Sequence, residues 1–289
     1  MKALNLGCGQ RYHPNWVNID FASHSKEVIA YDLSTGIPAA DNAFDLVYHS
    51  HLLEHFPKDQ APAFIQECFR VLRPKGVLRV VVPDLETIAR HYLHVLENSS
   101  TKDSDLADNY DWILLELLDQ MVRNKSGGGM TEYLSRKDLS NLDFVIKRLG
   151  AEAKNLVPVV DQIPNHTNEL EIGFSFLSEI VETAVKPIYR FLRYSSHRHN
   201  AFLQLVLGSK DYQALQIGRF RQGGEIHQWM YDCYSVSRLL RKCGFTDIVQ
   251  RTALTSYIPY WPSYNLDTEL DGSTYKPDSL FIEAIKPAQ

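Results

Sequence analysis

Residues 3–9 read Ala-Leu-Asn-Leu-Gly-Cys-Gly, a short apolar run that ends in two glycines one residue apart. Glycine at 7 and 9 leaves out side chains where the backbone turns through positive φ or lets another group come close. An apolar strand running into such a turn holds nucleotide-type ligands at the carboxyl end of a first parallel strand. A plain hairpin can carry the same turn, so the strands that follow must decide.

Those strands are short and end in acids. Trp16–Asp20 and Glu27–Asp32 are apolar runs closing on a carboxylate, and Phe44–Ser50 is a fourth run. Apolar positions at Ala61, Phe64, Ile65, Cys68, Val71 and Leu72 follow the helical period, and Pro74-Lys75-Gly76 is expected to stop that helix. Val77–Asp84 is the strongest strand of the chain. This order predicts an α/β fold with a parallel sheet. From 85 to about 225 the helical period recurs, in Leu85–Glu97, Leu106–Val122, Phe174–Leu192 and Ala201–Leu215. The late part returns to the sheet: a helix at Ser235–Cys243, then strands at Asp247–Gln250 and Leu280–Ile285.

Charge and cysteine usage narrow the function. Thirty Lys and Arg against 35 Asp and Glu give a mildly acidic chain, which argues against a general nucleic-acid binder. Cys8, Cys68, Cys233 and Cys243 show no paired metal spacing and suit a reducing compartment. No run reaches membrane-spanning length and no signal-peptide pattern precedes the first strand, so a cytoplasmic protein without stable membrane insertion is expected.

Taken together, these pieces resemble class I S-adenosylmethionine-dependent methyltransferases, in particular the small-molecule group that includes quinone-biosynthesis enzymes. The matching segments are Leu4–Gly9, Asp20, Asp32-Leu33, Ile37-Pro38 through Phe44–Val47, Leu52–His55, Phe69–Gly76 and Leu239–Phe245. The resemblance covers 1–84 and 230–286. It implies a Rossmann-like, doubly wound sheet of seven strands with the last antiparallel; the helical run from 85 to about 225 lies outside it and reads as a large insertion after strand five. Residues 1–84 and 226–289 would form the cofactor domain, and 85–225 a lid that carries the acceptor. It also implies S-adenosyl-L-methionine as cofactor. Gly7, Cys8 and Gly9 would hold its methionine part, Asp20 the ribose hydroxyls, and Asp32 and Leu33 the adenine, with Ser50 and His51 beside the sulfonium. A carboxylate suits a vicinal diol because it offers two acceptors.

Two departures stand out. Asn5 replaces an acid, and Arg11 stands where a third glycine is usual. In addition, only residues 7–15 join the first two strands, and His13-Pro14 lies among them. A parallel crossover normally takes a dozen residues or more, so the first helix is expected to be missing or cut to one turn. Helices from 85–225 are expected to cover the exposed sheet face.

Methyl transfer needs alignment and exclusion of water, and a hydroxyl acceptor needs a base on its proton. His51 and His55, near Glu54, are candidates, and His49 lies just before them. His227, in Gly223–Asp232 where the insertion rejoins the sheet, has no capping or core job and is the preferred base. Asp232 or Ser235 reads as a helix cap and Trp229 as core. In one quinone-methyltransferase group Glu-x-x-Glu-His at this place binds a divalent metal. Here His51 replaces the first glutamate, and the stretch is assigned no metal.

The expected partner is a small-molecule acceptor: a hydroxyl, or less favourably an amine, on a sugar or lipid-linked sugar. Homodimer formation is left open. A nicotinamide oxidoreductase is disfavoured because Gly-x-Gly-x-x-Gly fails at Tyr12. A non-catalytic cofactor-binding protein remains the alternative.

Overall fold

A computed structural model describes residues 1–98, 104–136, 139–151, 153 and 195–288. Two compact units emerge, Met1–Pro158 with Gly224–Gln289, and Val159–Gly223. The first unit holds a seven-stranded sheet in the order β3-β2-β1-β4-β5-β7-β6. Its strands are β1 (Ala3–Leu6), β2 (Val17–Asp20), β3 (Val28–Ala30), β4 (Phe44–Ser50), β5 (Leu72–Pro83), β6 (Thr246–Arg251) and β7 (Ser279–Ile285). β1 to β5 pair in parallel, and β7 runs antiparallel to both β5 and β6. This is the expected Rossmann-like arrangement. Strand order reverses between β1 and β4, the place where α/β sheets open a crevice for ligands.

Alternation along the strands sorts the core into two faces. Leu4, Leu6, Val47, Leu78, Val80 and Ile282 pack with Phe64, Ile65 and Cys68 of α1 (Ala61–Val71) and with Val236 and Leu240 of α7 (Cys233–Lys242). α7 starts in a capping box, Ser235 N donating to Asp232 Oδ1 at 2.7 Å and Asp232 N donating to Ser235 Oγ at 2.9 Å. α1 ends at Val71, and β5 begins one residue on, ahead of the expected stop at Pro74-Lys75-Gly76. That stop is a bulge inside the strand: Phe44 pairs with Leu72 while Leu46 already pairs with Val77.

The other face corrects an expectation. No helix joins β1 to β2, as the short connection requires, but among the described residues of the first unit no helix from 85–158 is part of the cluster on this face. Trp16, Ile258, Trp261 and Leu266 bury themselves on Ala3, Leu46, Tyr48, Val77, Val81 and Phe281. Tyr264 packs against the same cluster, its ring centroid 5.1 Å from that of Trp16. Large aromatic rings fill about 150–250 Å² each, so a mat from the β6–β7 connection serves where a helix is missing. Asn18, buried on β2, ties down the short crossover by donating to the carbonyls of His13 at 3.0 Å and Trp16 at 3.1 Å.

Beneath the mat lies a buried ionic network. Arg79 is fully buried and binds Asp267 at 2.7 Å and Glu283 at 2.9 Å, and it donates to the carbonyls of Thr252 and Thr255. Asp267 also accepts from Trp261 Nε1 at 2.9 Å and Tyr48 Oη at 2.7 Å. The network fixes the connection that carries the mat.

α2 (Leu85–Asn98), α3 (Ser104–Val122), α4 (Gly128–Leu134) and α5 (Leu142–Leu149) follow β5 within the same unit. Trp112 and Tyr133 form a core there with Leu134, Val145 and Leu149. In the second unit, α6 (Ser195–Arg221) breaks at Gly208, where φ is +73°. The expected helix at Phe174–Leu192 lies outside the described residues. Among the described residues no helix is long and apolar enough to cross a membrane.

Candidate active site

The turn after β1 is built as its glycines require. Gly7 has φ +63°, and a Cβ there would come within 2.8 Å of Leu52. Gly9 has φ +53° with nothing within 4 Å of the place a Cβ would take. Gly7 N donates to the Ile19 carbonyl at 2.8 Å, locking the turn to β2. Gly9 N donates to Asp20 Oδ2 at 2.7 Å, which joins the turn to the acid at the end of that strand.

Both departures in this loop belong to one device. Buried Asn5 donates from Nδ2 to the Arg11 carbonyl at 3.2 Å, which a carboxylate could not do. The Arg11 side chain turns away to the β6–β7 connection. Its Nε donates to the carbonyls of Asn265 and Leu266, Nη1 reaches Glu269 at 2.9 Å, and the guanidinium lies 3.7 Å over the Tyr275 ring. The turn is thus held from β1, from β2 and from the far end of the chain.

A cavity of about 250 Å³ opens over this turn, walled by Asn5, Gly7, Cys8, Gly9, Gln10, Arg11, Tyr48, Ser50, His51, Leu266, Tyr275 and Lys276. Asp20, Asp32 and Leu33 stand outside its walls, at the ends of the next two strands. Asp20 is half-buried; Asp32 is exposed and accepts from Ser34 N at 2.9 Å, and the Ser34 side chain and then its backbone N–H hold its pKa below the usual range. The cradle suits S-adenosylmethionine: open backbone at Gly9, a polar wall at Asn5 and Ser50, and an acid at the following strand end.

A second cavity, of about 340 Å³, adjoins the first through two shared residues, His51 and Lys276. Its walls include His55, His227, Gln120, Arg123, Glu225 and Asp278, with apolar Ile88, Met130 and Met230. All three candidate histidines therefore meet here. His51 sits in left-handed backbone at φ +51°, a strained conformation for a non-glycine residue. Its Nδ1 lies 3.4 Å from Glu54 Oε1 and its Nε2 2.8 Å from Ser279 Oγ. His55 Nδ1 lies 3.0 Å from the Ile226 carbonyl and so carries the proton that this acceptor takes. His227 Nε2 lies 4.0 Å from Glu54 Oε1, and its ring stands edge-on to His55 with centroids 5.0 Å apart. The backbone brings this about: His227 N donates to the Gln120 carbonyl of α3, and Gln228 N to the Glu54 carbonyl.

Burial governs the protonation of the cluster. It lowers the pKa of His51 and His55 and takes His227 down to about 3, with nearby His55, Arg123 and Lys276 pushing the same way. It raises Glu54, which is fully buried, to about 8. His49 does not join this group. It is fully buried beside Phe64, its pKa is taken down to about 3 by burial, and neither ring nitrogen has a hydrogen-bond partner. Glu54, His55 and His227 place donor atoms within 4.8 Å of one another, the one such group of three among the described residues. His51 stands outside that group of three, its Nδ1 toward Glu54 and its Nε2 on Ser279.

Tyr275, Lys276 and Arg123 line these cavities without having been singled out from sequence. The signal available was modest: Tyr275-Lys276-Pro277-Asp278 sets charge around a proline just before the last strand. The insertion aromatics Phe174, Phe176, Tyr189, Phe191 and Tyr194 and the basic residues Lys186, Arg190 and Arg193 lie outside the described residues.

Residues 22–80 match a family model described as a methyltransferase domain, spanning β3 to β5 and leaving the glycine turn to be assigned by geometry. A protein of Mycolicibacterium smegmatis named as a probable S-adenosylmethionine-dependent methyltransferase is 27% identical over 171 residues. That match takes in 52% of this chain, and the chain spans about 65% of that relative's length. Among solved structures, a methyltransferase from Thermotoga maritima aligns with 99% of this chain and 82% of its own, at 11% identity and TM-score 0.37. The [4+2]-cyclase SpnF aligns with 28% of this chain and 38% of its own, at 23% identity and TM-score 0.24. At such scores neither structure bears on the reaction. By its strand order, the matched β3–β5 segment and the curated relative, the chain is similar to class I S-adenosylmethionine-dependent methyltransferases, and the cofactor that likeness implies is S-adenosyl-L-methionine.

Proposed function

We propose that the protein transfers the methyl group of S-adenosylmethionine to a hydroxyl of a polar small molecule, a sugar or lipid-linked sugar fitting best. The observation that carries this reading is the pair of adjoining cavities with His51 in the wall they share. Gly7, Cys8 and Gly9 cradle the methionine part, with Asn5 and Ser50 on the wall. Asp20 takes the ribose, and Asp32 and Leu33 the adenine. The acceptor lies in the second cavity, where histidine, amide and charged groups suit a molecule rich in hydroxyls. α2–α4, in the 85–225 insertion, supply much of that wall.

The cofactor, when bound, supplies an activated methyl on a positively charged sulfur. The protein's own work is to orient the acceptor, keep water out and take up the proton. His227 is the preferred base and is neutral at pH 7, so it has a lone pair to offer. His55 fixes its neighbour's ring edge-on, and His51 closes the wall toward the cofactor. Four cysteines free of disulfides fit a cytoplasmic setting. Replacing His227 with Gln should lower methyl transfer ~10²-fold while leaving cofactor affinity nearly intact. Unchanged turnover would remove His227 from this role.

A further inference from the structure

Glu54 is the buried group the account above leaves without a job. Neither carboxylate oxygen has a hydrogen-bond partner, and the residue is wholly out of solvent. An ionisable group left so is costly and needs an explanation. Its neighbours come from four places: His51 at the end of β4, His55 on its own turn, His227 and Tyr231 on the segment before α7, and Lys276 and Asp278 ahead of β7. The Tyr231 hydroxyl is also buried without a hydrogen-bond partner. Within this cluster only His51 and Lys276 also face the glycine-turn cavity. Glu54 Oε1 is thus one imidazole ring away from where the cofactor's charge would rest.

We propose that Glu54 is the charge-matching partner of the cofactor's sulfonium: it gives up its proton when the sulfonium binds and regains one as methyl transfer removes that charge. The inference rests on the reading that S-adenosylmethionine occupies the glycine-turn cavity. In the free protein burial holds Glu54 largely protonated at neutral pH. A unit positive charge brought within about 10 Å favours the ionised form roughly tenfold or more. In the transfer, the acceptor oxygen forms a bond to the methyl carbon as the carbon–sulfur bond breaks, and that electron pair stays on sulfur. The acceptor's proton passes through His227 or His51 to the Glu54 carboxylate. One negative and one positive charge become two neutral groups, so no net charge is left in a buried site. Glu54 is a positioning and proton-holding residue here, acting through the histidines.

Calorimetry in two buffers of different ionisation enthalpy tests this without turnover. S-adenosylmethionine and S-adenosylhomocysteine differ only at sulfur, by its methyl group and the positive charge that comes with it. At pH 7.5 the wild-type protein should release about half a proton more on binding the sulfonium than on binding the thioether. Its preference for the sulfonium should rise about eightfold from pH 6 to pH 8.5. Glu54→Gln should abolish both effects while binding both compounds, and its melting temperature checks that it folds. Equal proton release with both compounds in the wild-type protein overturns the proposal. So does a stoichiometric metal ion in protein purified without chelator, lost in Glu54→Gln, since that ion would then balance the carboxylate. If neither compound binds, it is the cofactor reading that fails.

Discussion

The Gly9 amide donates to the Asp20 carboxylate across 2.7 Å, so the glycine turn after β1 and the acid ending β2 are a single preassembled unit. One carboxylate oxygen is engaged in setting the turn, and Oδ1 accepts only a long bond from Ala22 N at 3.3 Å. Asp20→Ala should therefore lower S-adenosylmethionine affinity by ~10²-fold in calorimetry, losing both a ribose acceptor and the turn's anchor. Asp20→Asn should fall between, because the amide retains one acceptor oxygen. Equal affinity in all three proteins would remove Asp20 from the binding site.

Asn5 gives a prediction opposite to the intuition of restoring a usual acid. Asn5→Asp would set a buried carboxylate against the Arg11 carbonyl it now donates to. The expected cost is about 1–3 kcal/mol of stability with weaker cofactor binding. Denaturant unfolding and calorimetry on the same sample check both; a tighter-binding, equally stable variant would contradict this account of the loop.

Asp267 gathers Arg79, Trp261 and Tyr48 beneath the aromatic mat. Asp267→Ala leaves a buried guanidinium with half its charge balance gone, which typically costs about 3–5 kcal/mol. Because the mat stands in for a missing helix, the near-ultraviolet signal of Trp16 and Trp261 should weaken with it. A loss below about 1 kcal/mol in urea unfolding would show the network to be dispensable.

His49 links stability to pH. Its pKa is lowered to about 3 in the folded protein, while the unfolded chain binds a proton near the ordinary value of 6.5. The unfolded state then holds more protons below 6.5, so this contribution is full above that pH and is lost as pH falls toward 3. From pH 6.5 to 5 the loss is about 2 kcal/mol. His227, similarly lowered, acts in the same direction. Glu54 has the opposite sign: raised to about 8, it erodes stability as pH climbs from its unfolded value through 8. His49→Leu should flatten the acid limb measured by urea unfolding between pH 5 and 6.5, and an unchanged slope would show that His49 is charged in the fold.

What could be read from sequence was local. The β-branched run Val77–Val82, the helical period of Ala61–Val71 and the Asp232–Ser235 cap are contained within a few residues, and a strand, a helix and a capping box stand at those places. The missing first helix was legible too, since residues 7–15 are too few for a crossover. What covers the bare face was not. Trp16 meets Trp261 at 6.1 Å between ring centroids across most of the chain, and no spacing announces such a contact. Glu54 shows the same limit. In the sequence it stands only as the neighbour of His51 and His55, and the return of residues 226–228 against its turn puts His227 near its carboxylate. Likewise Asn5 and Arg11 look like two separate defects until the hydrogen bond between them makes them one device.

The central claim is that the two adjoining cavities bring a methyl donor and a small acceptor together. Its most direct test is to incubate the protein with methyl-labelled S-adenosylmethionine and a small-molecule extract, and to follow label into products separated from protein. The account predicts label in a polar, hydroxyl-bearing product, reduced ~10²-fold by His227→Gln. Binding of S-adenosylmethionine with no label transferred above the protein-free control would contradict it and favour a cofactor-binding protein without catalysis.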